Sequence, residues 1–303
     1  MHKKYVLLSL IFLLFSILSC KSVQNKNEAN VQAIENSLLW KIEGKGLHKA
    51  SYLFGTIHII KSEDFFLPNG FNEAFNKSNN IVFEIDMSML DDMEEVMSLL
   101  PKVMMKDDLS LRDLISEDEY EKVNRFFTEA GLPLFFLEKI KPMFLTMFAD
   151  PEVKPGILEN GEYKSYELEF HSMAENQNKK VSGLESIDYQ ISILDSIPYK
   201  EQARMLLESI DNQAQDTSSF DLLVKQYKEQ DINTLFNSIK KDDISKYEKI
   251  LLNDRNENWI PVMEEMMKQE ASFFAVGAGH LGGEKGVINL LRKAGYKVIP
   301  VFK

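Results

Sequence analysis

Short apolar runs alternate with long stretches of helical spacing along this chain. Leu38-Leu39-Trp40-Lys41-Ile42 and Ser51-Tyr52-Leu53-Phe54 flank the Gly-containing segment Gly44–Lys49, a pattern that predicts a β-hairpin with His48 exposed near its tip. Further strands are predicted at Ile81–Asp86, Lys180–Glu185, Ser272–Val276 and Tyr296–Phe302. Between them the spacing is helical. Glu117–Ala130 places Tyr120, Val123, Phe126 and Phe127 on one face, with Ser116 as N-cap and Glu119 as its capping-box partner. Residues 187–269 read as almost wholly helical, with breaks near Pro198, Asp211–Ser218 and Asp254. Pro261 marks a helix start or a kink. A last helix, Lys285–Ala294, stops at Gly295. Strands this far apart, separated by helices, imply an α/β (or α+β) fold. Its expected form is a central mixed sheet flanked by helices, with a large helical insertion, in a single domain over residues 36–303.

The N-terminal pattern differs. His2-Lys3-Lys4 is basic and Tyr5–Leu18 is apolar, shorter than the roughly 17–25 residues of a membrane-spanning helix. Ile17-Leu18-Ser19-Cys20 resembles a bacterial lipobox, which implies a lipoprotein signal peptide over 1–19 and lipid on Cys20; an ordinary secretory signal is the alternative. Polar residues then form an expected flexible tether over 20–35. The protein is thereby expected in the cell envelope, lipid-anchored to a membrane and facing the periplasm or the exterior. Cys20 is the only cysteine, so the rest of the chain makes no disulfide and no thiolate metal site. A formal net charge of −12 argues against a nucleic-acid partner.

Candidate chemistry gathers at the ends of the apolar runs. Two Gly-x-x-His copies, Gly55-Thr56-Ile57-His58 and Gly277-Ala278-Gly279-His280, use two of only five histidines in one local setting. Glu84 and Glu185 end two other runs, and parallel strands would bring all four residues together. Imidazoles and carboxylates without sulfur suit Zn, Mn, Co or Fe. Asp86, one strand period beyond Glu84, competes with it, and Glu185 has an alternative task capping the helix after Ser186. Glu167, His171 and Glu175 have helical i, i+4 spacing; for His171 a solvated helix face with local ion pairs is the expectation, while Glu167 belongs to a helix that Tyr166, Phe170 and Met173 orient against the core. Arg255 suits a substrate carboxylate or an oxyanion, with an ion pair to Asp254 or Glu257 as the alternative. No Gly-x-Ser-x-Gly elbow or P-loop is present.

At these residues the chain resembles the TraB/GumN family, related to the Tiki metallopeptidases and to a superfamily that includes erythromycin-esterase-like enzymes and a haem-binding lipoprotein type. The matching stretches are Leu39–Ile42, Ser51–His58, Val82–Asp86, Gly183–Ser186, Arg255-Asn256 and Val276–Gly286, leading into Leu290-Leu291 and Gly295-Tyr296. The resemblance implies His58, Glu84 and His280 as ligands of a divalent metal (Mn, Co or Zn). Glu185 is then the expected base or further ligand, and Arg255 the group that holds developing charge. A peptide or other small substrate is implied, cleaved by a metal-dependent hydrolase. Two alternatives stand beside this: a metal-free hydrolase with a histidine general base, and a lipoprotein that binds haem or metal without turnover.

Overall fold

The computed structural model describes residues 34–146, 158, 160–213, 218–240 and 246–301. The expected signal peptide, Cys20 and nearly all of the tether lie outside the described residues. Among the described residues no helix is long and apolar enough to cross a membrane.

Six strands form one mixed sheet: β1 (Leu39–Glu43), β2 (Ser51–Thr56), β4 (Asn80–Ile85), β6 (Lys180–Glu185), β7 (Ser272–Gly277) and β8 (Lys297–Pro300), in the order β6-β4-β7-β2-β1-β8. Two-residue strands β3 (Ile60–Lys61) and β5 (Tyr163–Lys164) pair separately, and their apolar content is too small to announce them in the sequence. β1 and β2 make the expected antiparallel hairpin, Leu39 opposite Phe54 and Ile42 opposite Ser51. Strands β6, β4, β7 and β2 run parallel to one another. Every residue of β2 and β4 is buried, as expected for parallel strands covered on both faces. The fold is α/β, a mixed sheet flanked by helices.

The described residues gather into two compact units. One comprises the sheet and its helices: the residues up to Ser88, Lys164–Ser186, and those from Ser219 on. An aromatic cluster fixes the helices Phe71–Lys77 and Tyr166–Asn176 on one sheet face. Phe170 lies 4.8 Å from Phe71, 5.4 Å from Phe54 and 5.9 Å from Phe273, ring centre to ring centre. Such pairs add about 0.5–1.5 kcal/mol each beyond area burial.

The other unit, Met89–Tyr163 and Ile187–Ser218, is helical. The predicted helix forms at Glu117–Glu129, and its capping box closes in both directions: the Ser116 hydroxyl accepts from Glu119 N, and Glu119 Oε2 accepts from Ser116 N at 2.8 Å. Tyr120, Val123 and Phe127 are buried while Phe126 is half-buried at the edge of that face. Lys141, 2 % exposed, pairs ionically with Asp195 Oδ1 (2.5 Å) and donates to the Lys102 carbonyl (2.5 Å), which accounts for its charge inside this unit.

The long helical region breaks at Ser196–Pro198 as expected, but not at Asp254. A π-helical turn, Lys249–Asn253, runs directly into the helix Asp254–Gln269, and Pro261 lies inside that helix on its exposed side. The last helix is shorter than its sequence pattern, Val287–Lys293, and Gly295 beyond it takes a left-handed φ of 98°.

Candidate active site

The four parallel strands end side by side, and the candidate residues stand at those ends. Thr56 is level with Gly277, so the two Gly-x-x-His turns leave neighbouring strands together. Their contact requires Gly55: a Cβ there would stand 2.6 Å from Leu281 Cδ1 and 3.1 Å from Ala278 Cα. The buried Tyr227 hydroxyl donates to the Gly55 carbonyl at 2.9 Å and pins the first turn. His280 ends a 3₁₀ turn, Ala278–His280.

Glu84, 8 % exposed, is the centre of the bonding. Its Oε1 accepts from Gly277 N at 2.9 Å and lies 3.7 Å from His280 Nε2; its Oε2 accepts from Arg255 Nη2 at 2.6 Å. Arg255 is fully buried. Its Nε and Nη2 donate to Glu185 at 2.5–3.2 Å, and its Nη1 donates to the Leu251 carbonyl and lies 3.2 Å from His280 Nε2. Glu84, Glu185 and the Leu251 carbonyl take four of the five guanidinium hydrogens, and the fifth faces His280 Nε2. Trp259 Nε1 donates to the other oxygen of Glu185 at 2.8 Å, and its ring lies 4.4 Å from the His280 ring.

Each imidazole is held from behind at Nδ1. His280 Nδ1 lies 2.6 Å from Asn256 Oδ1, and the Asn256 amide nitrogen donates to the Lys285 carbonyl at 2.9 Å. With the amide so oriented, the shared proton belongs to His280 Nδ1. His58 Nδ1 lies 3.0 Å from Glu167 Oε1. Both rings therefore turn Nε2 toward Glu84, the orientation that carboxylate, amide or carbonyl partners impose on metal-ligating histidines.

Burial penalises every charge here, and neighbours decide which charges survive. Burial works against the Glu84 carboxylate, but the Arg255 guanidinium, together with His280, His58 and the Gly277 amide, outweighs it and holds the group at about 2. Burial raises Glu185, and the same guanidinium only partly opposes it. For His280 burial dominates, Arg255 adds to it, and the ring falls to about 3. Burial also lowers His58, but the Glu167 carboxylate overrides it and the net shift is upward.

Gly277 leaves a small space between the donors. A Cβ built there would meet Glu84 Oε1 at 3.4 Å, His58 Nε2 at 3.6 Å and His280 Cδ2 at 3.7 Å. Coordination needs about 2.0–2.2 Å to nitrogen or oxygen. As the side chains stand, no group of three or more His, Cys, Asp and Glu among the described residues is close enough to hold a metal ion. The donors fit a divalent cation in kind: Glu84 Oε1 and His58 Nε2 face this space, while His280 turns Cδ2 to it and keeps Nε2 3.2 Å from Arg255 Nη1 and 3.7 Å from Glu84 Oε1.

His58, Glu84, Glu185, Arg255 and His280 thus come together in one unit. Other expectations are corrected. Asp86 lies just past β4, exposed, and accepts from the Ser88 amide and hydroxyl, because the strand ends at Ile85. Glu185 accepts from Arg255 and Trp259, which ties it to the site. Arg255 pairs with neither Asp254 nor Glu257, which bond Lys249 and Lys285. His171 is buried at 8 % exposure rather than on a solvated face, because Tyr166, Phe170 and Ala174 draw that side of the helix inward. His48 is exposed as expected. Asn256, Trp259 and Thr56 complete the bonding and carried no signal in the spacing, since each acts through a partner far away in sequence; Ser165 joins them through Glu167, two residues on.

Comparison with known proteins agrees with this arrangement of motifs. The TraB/PrgY/gumN family pattern matches residues 38–300. Metalloprotease TIKI2 of Xenopus tropicalis is 22% identical over 87% of this chain and 59% of its own length. Metalloprotease TIKI1 is 23% identical in Xenopus tropicalis, over 94% of this chain and 65% of the relative. Human Metalloprotease TIKI1 is 23% identical over 87% and 61%. The chain thus spans about three fifths of the length of these relatives. No solved structure matches it. With the matched residues running from β1 to β8 and through both Gly-x-x-His turns, the chain belongs to the TraB/PrgY/gumN family.

Proposed function

We propose that this protein is a metal-dependent hydrolase of the peptidase type, with His58, Glu84 and His280 as the residues that hold a divalent cation. The observation that carries the reading is two Nδ1-tethered imidazoles set around one carboxylate beside Gly277, with His58 Nε2 and Glu84 Oε1 facing the same space and His280 Nε2 3.7 Å from Glu84 Oε1. The similarity to the TIKI metalloproteases supports a metal ion, for which the donor chemistry suits Mn, Co or Zn. Bound there, such an ion supplies a Lewis acid for a carbonyl and eases deprotonation of water. The chain's own residues do the rest. Arg255 keeps Glu84 ionised and bridges it to Glu185. With its other hydrogens on Glu84, Glu185 and Leu251, Arg255 meets developing charge chiefly through Glu84. Glu185 serves the same bridge. Burial keeps His280 neutral, and its Nε2 lone pair, which faces Arg255 Nη1 at 3.2 Å, would exchange that contact for a cation. Lipid on Cys20 would hold this site at the cell envelope, on the strength of the basic and apolar N-terminal pattern.

Metal analysis of the purified protein tests the reading. One divalent ion per chain, lost in His58→Ala and His280→Ala, is expected. Absence of stoichiometric metal, or its retention in both variants, would overturn it.

A metal-free hydrolase is the second reading, favoured by one observation: His58 with Glu167 behind it has the form of a general base with its orienting carboxylate. Peptidase activity that survives chelation and vanishes in His58→Ala would select it.

A further inference from the structure

Glu167 is not among the residues that the four strand ends supply. It stands in the first turn of the helix Tyr166–Asn176, 6 % exposed, and both of its oxygens are engaged. Thr56 Oγ1 donates to Oε1 at 2.6 Å, and Ser165 Oγ donates to Oε2 at 3.0 Å. His58 Nδ1 shares Oε1 at 3.0 Å. The helix itself is fixed: Ser165 caps it, the Tyr166 hydroxyl donates to the Phe66 carbonyl at 2.7 Å, and Phe170 sits in the aromatic cluster. The carboxylate is thus held in place by groups that are independent of His58.

We infer that Glu167 is the positioning residue of His58, fixing the imidazole as the Nδ1–H tautomer and turning Nε2 toward Glu84 and the space above Gly277. Two hydroxyls already donate to the carboxylate, so it acts as acceptor throughout, and the proton of the third bond comes from Nδ1. The bond also sets the ring's direction. Oε1 is tied to Thr56, the last residue of β2, so the ring two residues later is aimed relative to the strand that carries it. Its nitrogen Nε2 then faces the same point as Glu84 Oε1, at 3.6 Å against 3.4 Å. A residue that merely braced the helix would need Ser165 and Thr56 but not the histidine.

The tautomer does not depend on the proposed metal; only what Nε2 then binds rests on that reading. Full-length protein labelled with 15N at histidine, freed of metal and held at a pH where the ring is neutral, reports the tautomer directly, with the His58 signals assigned by loss in His58→Gln. Wild type is expected to carry the proton on Nδ1. Glu167→Ala is expected to lose that preference and to weaken Zn2+ binding, read by titration calorimetry, about 10–100-fold. Glu167→Gln keeps one acceptor oxygen and is expected to retain the tautomer and lose less affinity. Thr56→Val removes the other donor and should leave the tautomer unchanged. A wild-type His58 protonated on Nε2 overturns the inference whatever the variants do. So does a Glu167→Ala protein that keeps both tautomer and affinity. If Glu167→Ala does not fold, the wild-type tautomer and the Glu167→Gln affinity decide. A wild type that takes up no Zn2+ removes the metal reading, while the tautomer still settles the task of Glu167.

Discussion

Gly277 and Arg255 show how single residues divide stability from chemistry. Gly277 has φ −52°, which any residue adopts, and the contacts a Cβ would make are of ordinary van der Waals length. Gly277→Ala is therefore expected to change stability by no more than about 0.5 kcal/mol. It would nevertheless fill the space the donors face, and metal uptake should fall to background in calorimetry. Gly55→Ala is the contrast, because its Cβ would overlap Leu281 and press on the Ala278 backbone; lower soluble yield and a lower unfolding midpoint are expected. Arg255→Ala would strand two carboxylates in the interior, at a cost of about 3–5 kcal/mol. Arg255→Lys should recover little, since three ammonium hydrogens replace five in a planar fork. Trp40 and Trp259, the only tryptophans, both lie in the sheet unit, so denaturant titration followed by fluorescence reads that unit; a midpoint equal to wild type for Arg255→Ala would contradict the account.

Elements were legible where one local rule dominated. The strands β1, β2, β4, β6, β7 and β8 came from apolar runs, and Ser116 with Glu119 announced the start of Glu117–Glu129. Ser116→Ala is expected to cost about 1 kcal/mol in chemical unfolding. The Ser116 amide and hydroxyl hold the Glu119 carboxyl below its ordinary value of 4.5, so its stabilising share is complete above that value and is lost as pH falls through the folded one. The stability gap between wild type and Glu119→Gln should accordingly shrink between pH 7 and pH 3; a constant gap would rule out the carboxylate as its source. Elements were illegible where packing overrode local preference. Pro261 sits inside a helix because its ring is on the exposed side, and the π-helical turn at Lys249–Asn253 replaces the break expected near Asp254. The site followed the same division. His58, Glu84, Glu185 and His280 were visible because each ends or follows an apolar run. Asn256 and Glu167 take their meaning from histidines 24 and 109 residues away, a relation no local pattern holds.

At the scale of the molecule, the helical unit enters the sequence of the sheet unit twice, after Ser88 and after Ser186, and the site residues all remain in the sheet unit. Cys20→Ser offers a test of the proposed anchor: the protein should move from the detergent-extracted to the soluble fraction, and an unchanged distribution would sink the lipid assignment. The order of the strands has a consequence in time. β7, residues 272–277 of 303, is inserted between β4 and β2, which are made some two hundred residues earlier. A chain that emerges N-terminus first carries His58 and Glu84 long before it carries His280. Until the last tenth of it appears, the sheet has an open slot with two unpaired edges, and long-range pairing of this kind closes slowly. The same slot means that no partial chain holds both histidines at one place. On the proposed reading, the site stays incomplete while the chain is being made and is assembled in a single late step, when its central strand arrives.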